Sequence, residues 1–148
     1  MSVDFDTTVR VKLYQEFVRN GSAPTAEHLA TEMHCSTEHI RAALERLAAG
    51  RAIVLQPYSR EILMANPLCS VPTPFRVRTR GRSFFGSCVW DALGIMAMLQ
   101  SESALDTSCA CCGEAMVITQ RDGHLMHAEG VIHFAVPAKR WWENIVFT

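Results

Sequence analysis

A strongly apolar run, Val89–Leu99, contains one ionisable residue, Asp91. Apolar residues on all sides of such a run predict a buried helix. The Gly86-Ser87 step before the run predicts the start of that helix. Cys88 lies three residues before Asp91, and residues with this spacing share one face of a helix. The pattern therefore predicts a thiol and a carboxyl group side by side at the first turn of a buried helix.

The chemistry of this pair follows from burial and from its position at a helix start. An unpaired carboxyl group in an apolar environment has a raised pKa and keeps its proton. A cysteine near the positive end of the helix dipole is more readily deprotonated. Cys88 is thus a candidate thiolate nucleophile, and Asp91 is a candidate proton donor. The alternative is that Cys88 packs as a small apolar side chain while Asp91 caps a neighbouring part of the backbone.

Before this run, the apolar positions of residues 1–66 predict three helices followed by a β-hairpin. The first helix ends at Asn20-Gly21, and Thr25 and Ser36 are the N-caps of the second and third helices. Short apolar runs at 53–55 and 62–64, joined by a turn, predict the hairpin. Three helices and a hairpin in this order are typical of a winged-helix-like domain.

The charge of this first domain does not favour DNA binding. Residues 1–66 contain seven lysines and arginines and eight aspartates and glutamates. Phosphate contacts supply most of the affinity of a protein for duplex DNA, so DNA is a weakly supported partner. A structural or dimerising winged helix is favoured over DNA binding, and the dimerising alternative would make the chain a homodimer.

The remainder, residues 67–148, is predicted to form a second domain after a proline-containing linker at 66–74. Alternating and apolar stretches predict strands, which with the buried helix make this domain α+β. Trp141 and Trp142 are interpreted as closing its core. The predicted strands lie at 75–80, 114–120, 125–128 and 131–136, with a hairpin turn at 121–124.

The first of these strands places Arg76, Arg78 and Arg80 on one face, and Arg82 follows. The simpler interpretation is a solvated strand face. The alternative is a surface on which an anion or a carboxylate-bearing partner docks.

Composition places few limits on the function but indicates a compartment. The chain has 148 residues and a formal net charge of −1, which gives no general attraction to nucleic acid or acidic lipid. No apolar run reaches the roughly 18 residues that a membrane span needs, and the acidic N-terminus does not resemble a signal peptide. We therefore expect no membrane association and a cytoplasmic location. There we expect the six cysteines to stay reduced, and the clustered ones to be ligands or reactive thiols rather than disulfides.

Three of those cysteines, Cys109, Cys111 and Cys112, lie within four positions. Cys109 and Cys112 form a Cys-x-x-Cys pair, and His124 and His127 follow it. Four such ligands from two turns outline a structural zinc site. The His-x-x-His spacing is shorter than is usual for a zinc finger, so zinc at Cys109 and Cys112 is a minor alternative.

Three segments occur in a characteristic order: Pro72-Thr73-Pro74-Phe75, then Cys88-Val89-Trp90-Asp91-Ala92-Leu93, then Ser108-Cys109-Ala110 ahead of Gly113. Together they resemble the organomercurial (alkylmercury) lyases. The resemblance extends from about Leu44 to about Phe134.

The resemblance implies a winged-helix-like N-terminal domain followed by an α+β catalytic domain. It implies that the Cys88 thiolate captures the R–Hg unit and that Asp91 protonates the departing carbon. The products are a hydrocarbon and Hg(II), which passes as a dithiol complex to a mercuric reductase. Mercury is substrate and product, and no cofactor is required. Cys109 corresponds to a third family cysteine with a structural role.

The sequence departs from the family near its end. The family has a second catalytic cysteine in a Phe-Cys-x-His-Val-x-Phe stretch. The matching stretch is 141–147, with Trp142 in place of that cysteine, and the chain is shorter at the C-terminus than the family. The second thiol is therefore missing unless Cys111 or Cys112 supplies it.

Two functions follow. The first is an organomercurial lyase that cleaves carbon–mercury or related carbon–metal bonds by thiolate capture and protonolysis. The second is a non-catalytic protein that binds or senses a soft metal or organometal, with the winged helix reporting occupancy as a transcriptional regulator does. The metal ligands in this interpretation are Cys88, Cys109, Cys111 and Cys112.

Overall fold

The computed structural model describes residues 4–126 and 129–146. The chain forms two compact units, Met1–Val71 and Pro72–Thr148. The division falls later than the predicted boundary after residue 66, because the first unit also includes a short strand beyond it.

The first unit contains the three predicted helices. Gly21 follows α1 in the left-handed conformation, and its N–H donates to the Phe17 carbonyl. The side chains of Thr25 and Ser36 cap α2 and α3 by accepting from the backbone N–H groups three residues later. The helix bounds are α1 Phe5–Asn20, α2 Ala26–Glu32 and α3 Thr37–Ala49.

Three antiparallel strands complete the first unit: β1 Val54–Leu55, β2 Ile62–Ala65 and β3 Leu68–Cys69. The hairpin of β1 and β2 confirms the prediction. The linker prediction for residues 66–74 is wrong in its first half, because Leu68 pairs with Ala65 and Cys69 pairs with Met64. The prolines indicated a linker, whereas the chain reverses at once and extends the sheet.

The second unit is a five-stranded antiparallel sheet with one α-helix, in the order β5-β4-β6-β7-β8. Helix α4 packs on β4 and β6. Mixed helix and antiparallel sheet confirm the α+β class. The bounds are β4 Arg76–Thr79, β5 Arg82–Phe85, α4 Val89–Leu99, β6 Ser103–Ser108, β7 Ala115–Arg121 and β8 His124–Met126, followed by a 3-10 helix at Ala138–Glu143.

The core of this unit lies between α4 and one face of the sheet. Val77 on β4 is in register with Phe84 on β5 and with Leu105 on β6, so the three side chains share that face. All three are buried, as are Ile95 and Met96 of α4. The helix is therefore held by an apolar surface that spans three strands.

The interpretation of α4 as buried on every side is wrong. Trp90 is 60% exposed and Met98 is 40% exposed, whereas Ala92, Ile95 and Met96 are buried. A helix that lies on one face of a sheet buries only the side turned toward it. The all-apolar composition of the run could not indicate which side that is.

Two strands of this unit, β5 and β6, were not predicted. Two other predictions for this unit are wrong. Residues 131–136 are irregular rather than a strand, and Val131 is 94% exposed. The Trp141 indole N–H donates to the Val136 carbonyl at 2.8 Å, but neither Trp141 nor Trp142 is buried, so they do not close the core.

The predicted strand at 114–120 and the turn at 121–124 are present, with β7 and β8 paired across the turn. The end of the predicted strand at 125–128 lies partly outside the described residues. No helix in the described part of the chain is both long and apolar enough to cross a membrane.

Candidate functional site

The candidate site lies where β5 leads into α4 through Gly86, Ser87 and Cys88. Cys88 is the N-cap residue, with an extended backbone (φ −146°, ψ 178°), and Asp91 lies in the first turn. Gly86 is buried against that turn. A Cβ atom at Gly86 would lie 2.6 Å from the backbone nitrogen of Ala92. Only glycine therefore lets the chain pass this close to the start of the helix.

A second segment, containing Thr73 and Phe75, holds this connection in place. The Thr73 hydroxyl donates to the Gly86 carbonyl at 2.6 Å and accepts from the Phe75 N–H at 3.1 Å. The Gly86 N–H in turn donates to the Phe75 carbonyl at 3.0 Å. Thr73 belongs to the Thr-Pro segment of the family resemblance, but its contact with Gly86 was not predicted. The close approach of Gly86 to the helix was likewise missed, although a glycine two residues before a capping residue is a usable signal.

The structure brings Cys88 and Asp91 together, as the three-residue spacing predicted. Their side chains are half-buried and close enough for each to shift the pKa of the other. Burial raises the pKa of Asp91, although hydrogen bonds from the Ser87 N–H and the Cys88 thiol act in the opposite direction. The predicted direction for this carboxyl group is confirmed. The effect of the Ser87 N–H on this pKa agrees with the alternative interpretation, in which Asp91 caps neighbouring backbone.

The prediction for the thiol of Cys88 is wrong in direction. Burial raises its pKa, and the negative charge of Asp91 acts in the same sense. The N–H groups of Asp91 and Trp90 lower the pKa, but less than burial raises it, and no side-chain hydrogen bond closes the cap. The helix start thus favours thiolate, as expected, but the apolar surroundings outweigh it. The surroundings of Cys88 therefore disfavour its thiolate form.

One polar atom beside the pair is unsatisfied. The Ser87 hydroxyl oxygen is buried, and no described residue hydrogen-bonds it. A buried hydroxyl without a partner is uncommon in native structures. It therefore offers a hydrogen bond to a molecule that enters beside Cys88.

The other three predicted thiols lie in the turn between β6 and β7. The turn is closed by two hydrogen bonds of 2.8 Å, from the Cys109 N–H to the Glu114 carbonyl and from the Gly113 N–H to the Cys109 carbonyl. Cys109 is half-buried, whereas Cys111 and Cys112 are exposed. The N–H groups of Cys112 and Cys111, with the Cys112 thiol, lower the pKa of Cys109. The turn therefore contains the thiol with the greater thiolate character.

The described residues do not gather the predicted metal ligands into one cluster. Within 4–126 and 129–146, no three His, Cys, Asp or Glu side chains are grouped to hold a metal ion. His124 Nδ1 lies 2.8 Å from the carbonyl oxygen of Asp122 in an exposed turn, and His127 lies outside the described residues. A closed four-ligand zinc site is thus not present in the described part of the chain.

The predicted arginine face is exposed and partly neutralised. Arg78 makes a double hydrogen bond with Asp106, with distances of 2.5 and 2.7 Å. Arg76 donates to the Ser83 hydroxyl at 3.0 Å. These side chains border a cavity of about 660 Å³ that five arginines line: Arg76, Arg78, Arg80, Arg82 and Arg121. An anionic partner at this face stays a prediction.

The arginines of α3 pair with acidic side chains of the same unit. Arg41 contacts Glu27 at 2.6 Å, and Arg46 contacts Asp6 at 2.6 Å. Arg60 of the hairpin is paired with Glu45. Cations already paired in this way contribute less to phosphate binding, which agrees with the weak support for DNA from the sequence.

The fold and the site define a class: an α+β protein with a half-buried thiol–carboxyl pair at the start of a helix that packs on an antiparallel sheet. A model of the alkylmercury lyase family (MerB) matches residues 68–148, which is more than half of the chain. The chain belongs to the alkylmercury lyase family, and the resemblance predicted from the sequence is confirmed.

A solved structure supports the same assignment. The chain is similar to the crystal structure of the mercury-bound form of MerB2, with a TM-score of 0.64 and 25% sequence identity. The similarity covers 80% of this chain and 58% of that chain, so the present chain spans little more than half the length of MerB2. No curated protein matches the chain.

Proposed function

We propose that this protein cleaves the carbon–mercury bond of organomercurials by thiolate capture at Cys88 and protonolysis by Asp91. The observation that carries the proposal is the half-buried pair of these two side chains, Cys88 at the N-cap and Asp91 in the first turn of α4. Membership of the alkylmercury lyase family and similarity to a mercury-bound structure support mercury as the substrate metal.

The first step is capture of the organomercurial. The sulfur of Cys88 bonds to mercury, the thiol proton leaves, and the ligand previously on mercury departs with that proton. Mercury is a soft metal that prefers thiolate, and metal binding displaces the proton of a thiol. The raised pKa of Cys88 therefore favours the thiol form before mercury binds. It does not prevent the reaction, because mercury displaces the thiol proton.

The second step breaks the carbon–mercury bond. Asp91, whose pKa is raised by burial, donates its proton to the carbon. The electron pair of the carbon–mercury bond becomes the new carbon–hydrogen bond, and the hydrocarbon leaves. Hg(II) is then held by the Cys88 sulfur and the Asp91 carboxylate. Exchange with two solution thiols returns protons to both side chains and releases Hg(II) as a dithiol complex, the form that a mercuric reductase would receive in the cytoplasm.

A second candidate function is non-catalytic binding or sensing of a soft metal or organometal. The observation that favours it is Trp142 at the position where the resemblance places a second catalytic cysteine. A single capturing thiolate donates less electron density to mercury, so the carbon–mercury bond is less polarised. In this case the protein would hold the organomercurial without cleaving it.

The test is benzene release from phenylmercury in excess thiol, followed by gas chromatography. Wild type should release benzene. Asp91→Asn should bind phenylmercury stoichiometrically in native mass spectrometry but release benzene about 10²–10⁴-fold more slowly, because the general acid is lost. Asp106→Asn is the matched control, since Asp106 pairs with Arg78 and not with Cys88.

Two results would decide between the candidates. No release by wild type, with one phenylmercury bound per chain, would replace the lyase with the binding function. Equal release by wild type and Asp91→Asn would remove Asp91 from the mechanism.

A further inference from the structure

The two thiol regions of the second unit lie at the same edge of its sheet. Strands β5 and β6 flank β4, and both run antiparallel to it, so they are parallel to each other. Phe85 of β5 and Asp106 of β6 are both in register with Arg76 of β4. Cys88 follows the end of β5, and Cys109 follows the end of β6.

At the level of Arg76, the backbones of β5 and β6 are two strand spacings apart, which is about 10 Å. Both segments leave the sheet in the same direction. A metal ion released at the start of α4 therefore emerges at the edge that also carries the β6–β7 turn.

The turn carries two thiols at a spacing of three residues. The Gly113 N–H donates to the Cys109 carbonyl four residues earlier, as in one turn of a helix, so Cys109 and Cys112 project from the same side of the turn. The Cys112 thiol and the N–H groups of Cys111 and Cys112 also lower the pKa of Cys109, which agrees with this placement. Backbone hydrogen bonds at both ends of the turn hold Cys109 in place, and Cys112 is exposed. The turn thus presents a preformed pair of sulfur ligands to solvent.

The number of ligands distinguishes among metals. Structural zinc takes four ligands, and the described residues contain no group of three or more side chains arranged to hold a metal. Hg(II) is satisfied by two thiolates on opposite sides of the ion, and soft ions select sulfur. A pair of thiols without further ligands therefore fits Hg(II) and does not fit zinc.

We infer that the Cys109–Cys112 pair is a second mercury site, which receives Hg(II) from Cys88 and Asp91 and holds it as a dithiolate. The inference rests on the proposed function for the origin of the ion. In the transfer, two sulfur–mercury bonds form at Cys109 and Cys112. The bonds of mercury to Cys88 and Asp91 break, and the two protons lost by the turn thiols return to those side chains. No atom changes its oxidation state.

The test supplies Hg(II) directly, so that it does not depend on carbon–mercury cleavage. The full chain is loaded with one equivalent of Hg(II) and dialysed against excess glutathione, and mercury per chain is then measured by native mass spectrometry. A single thiol exchanges its mercury with glutathione, whereas a preorganised pair competes through its higher effective concentration. Wild type should retain one Hg(II) per chain.

Four serine variants locate the site. Cys109→Ser and Cys112→Ser should each lower the retained mercury at least about tenfold. Cys111→Ser, the adjacent exposed thiol, is the matched control and should retain mercury as wild type does, and so should Cys88→Ser. Retention by both Cys109→Ser and Cys112→Ser would overturn the inference. Loss of retention in Cys88→Ser would also overturn it, because the ion would then bridge the two regions.

Benzene release by wild type separates this inference from the proposed function. If wild type retains Hg(II) through Cys109 and Cys112 but releases no benzene, the proposed function fails and the second site stands. If wild type releases benzene and the two variants retain Hg(II), the second site fails and the proposed function stands.

Discussion

The start of α4 and the β6–β7 turn both present a cysteine to neighbouring backbone N–H groups, but they have opposite effects on the thiol. Burial raises the pKa of Cys88, whereas N–H groups and a neighbouring thiol lower the pKa of Cys109. Cys88 also faces a carboxyl group, and Cys109 faces a second thiol. Similar backbone donors thus support two kinds of chemistry: proton delivery beside Cys88 and sulfur ligation at the turn.

The pKa of a carboxyl group also depends on its surroundings, as a comparison of Glu16 in the first unit with Asp91 in the second shows. Glu16 is buried, yet its pKa is lowered to about 2, chiefly by its hydrogen bond with His28 and further by Lys12 and Arg19. Burial raises the pKa of Asp91, and the groups that lower it are the Ser87 N–H and the Cys88 thiol rather than a cation. A buried carboxyl group is therefore a proton donor only where cations are kept away from it.

The largest difference between the two regions should appear in the pH dependence of benzene release. The quantity to measure is the single-turnover rate of release from the preformed phenylmercury complex. Mercury has already displaced the Cys88 proton there, so Asp91 is the group of the pair that still titrates. Because its pKa is raised, the acid form persists above the ordinary range for aspartate. As pH rises through that pKa, the rate should fall by about tenfold for each pH unit.

A rate that stays constant across that range would contradict protonation by Asp91. Asp106→Asn serves as the control variant, and it should show the wild-type profile.

The next largest effect is a loss of stability on substitution of Gly86, two residues before Cys88. Gly86→Ala should destabilise the second unit by about 1–3 kcal/mol, because the new Cβ atom would lie 2.6 Å from the backbone nitrogen of Ala92. Urea unfolding measures the change. Gly50→Ala is the control, since a Cβ atom at Gly50 would meet the nearest atom at 3.4 Å. Equal effects of the two substitutions would contradict the close approach.

A comparison of the thiols themselves should give a difference of at least about tenfold in the rate of alkylation. Iodoacetamide at pH 7 should label Cys109 and the exposed Cys112 before Cys88, because the thiolate is the reactive form and burial disfavours it at Cys88. Peptide mass spectrometry at timed intervals gives the rates. Faster alkylation of Cys88 than of Cys109 would contradict the predicted order of thiol reactivity.

The smallest effect is expected at Thr73. Thr73→Val conserves the shape but removes the hydrogen bonds to the Gly86 carbonyl and the Phe75 N–H. The cost should be about 1–2 kcal/mol in urea unfolding, because two partly buried groups lose a partner. Thr107→Val, at a half-buried position on β6, is the control and should cost less.

Structural features that depend on contacts within a few residues were predicted from the sequence. Thr25 and Ser36 cap their helices, and Gly21 ends α1, because each contact involves only neighbouring residues. The proximity of Cys88 and Asp91 follows in the same way from helical spacing. The raised pKa of Asp91 was also predicted, because its sequence neighbours supply apolar surroundings and no cation.

Features that depend on distant residues were not predicted. Strands β5 and β6 both pair with β4, and neither has the alternating pattern that would indicate it alone. The pKa of Cys88 depends on how deeply the sheet and α4 bury it, which a helix-start pattern does not contain. The lowered pKa of Cys109 requires the turn to direct two N–H groups at one sulfur, a geometry that the spacing of the cysteines does not specify.

The most direct test of the central claim is single-turnover benzene release by Cys88→Ser beside Cys111→Ser, with phenylmercury as substrate and gas chromatography as the measurement. If Cys88 captures mercury beside Asp91, Cys88→Ser should release benzene at least about 10³-fold more slowly than wild type, as expected on removal of a nucleophile. Cys111→Ser should match wild type. Equal release by wild type and Cys88→Ser would contradict the assignment of Cys88.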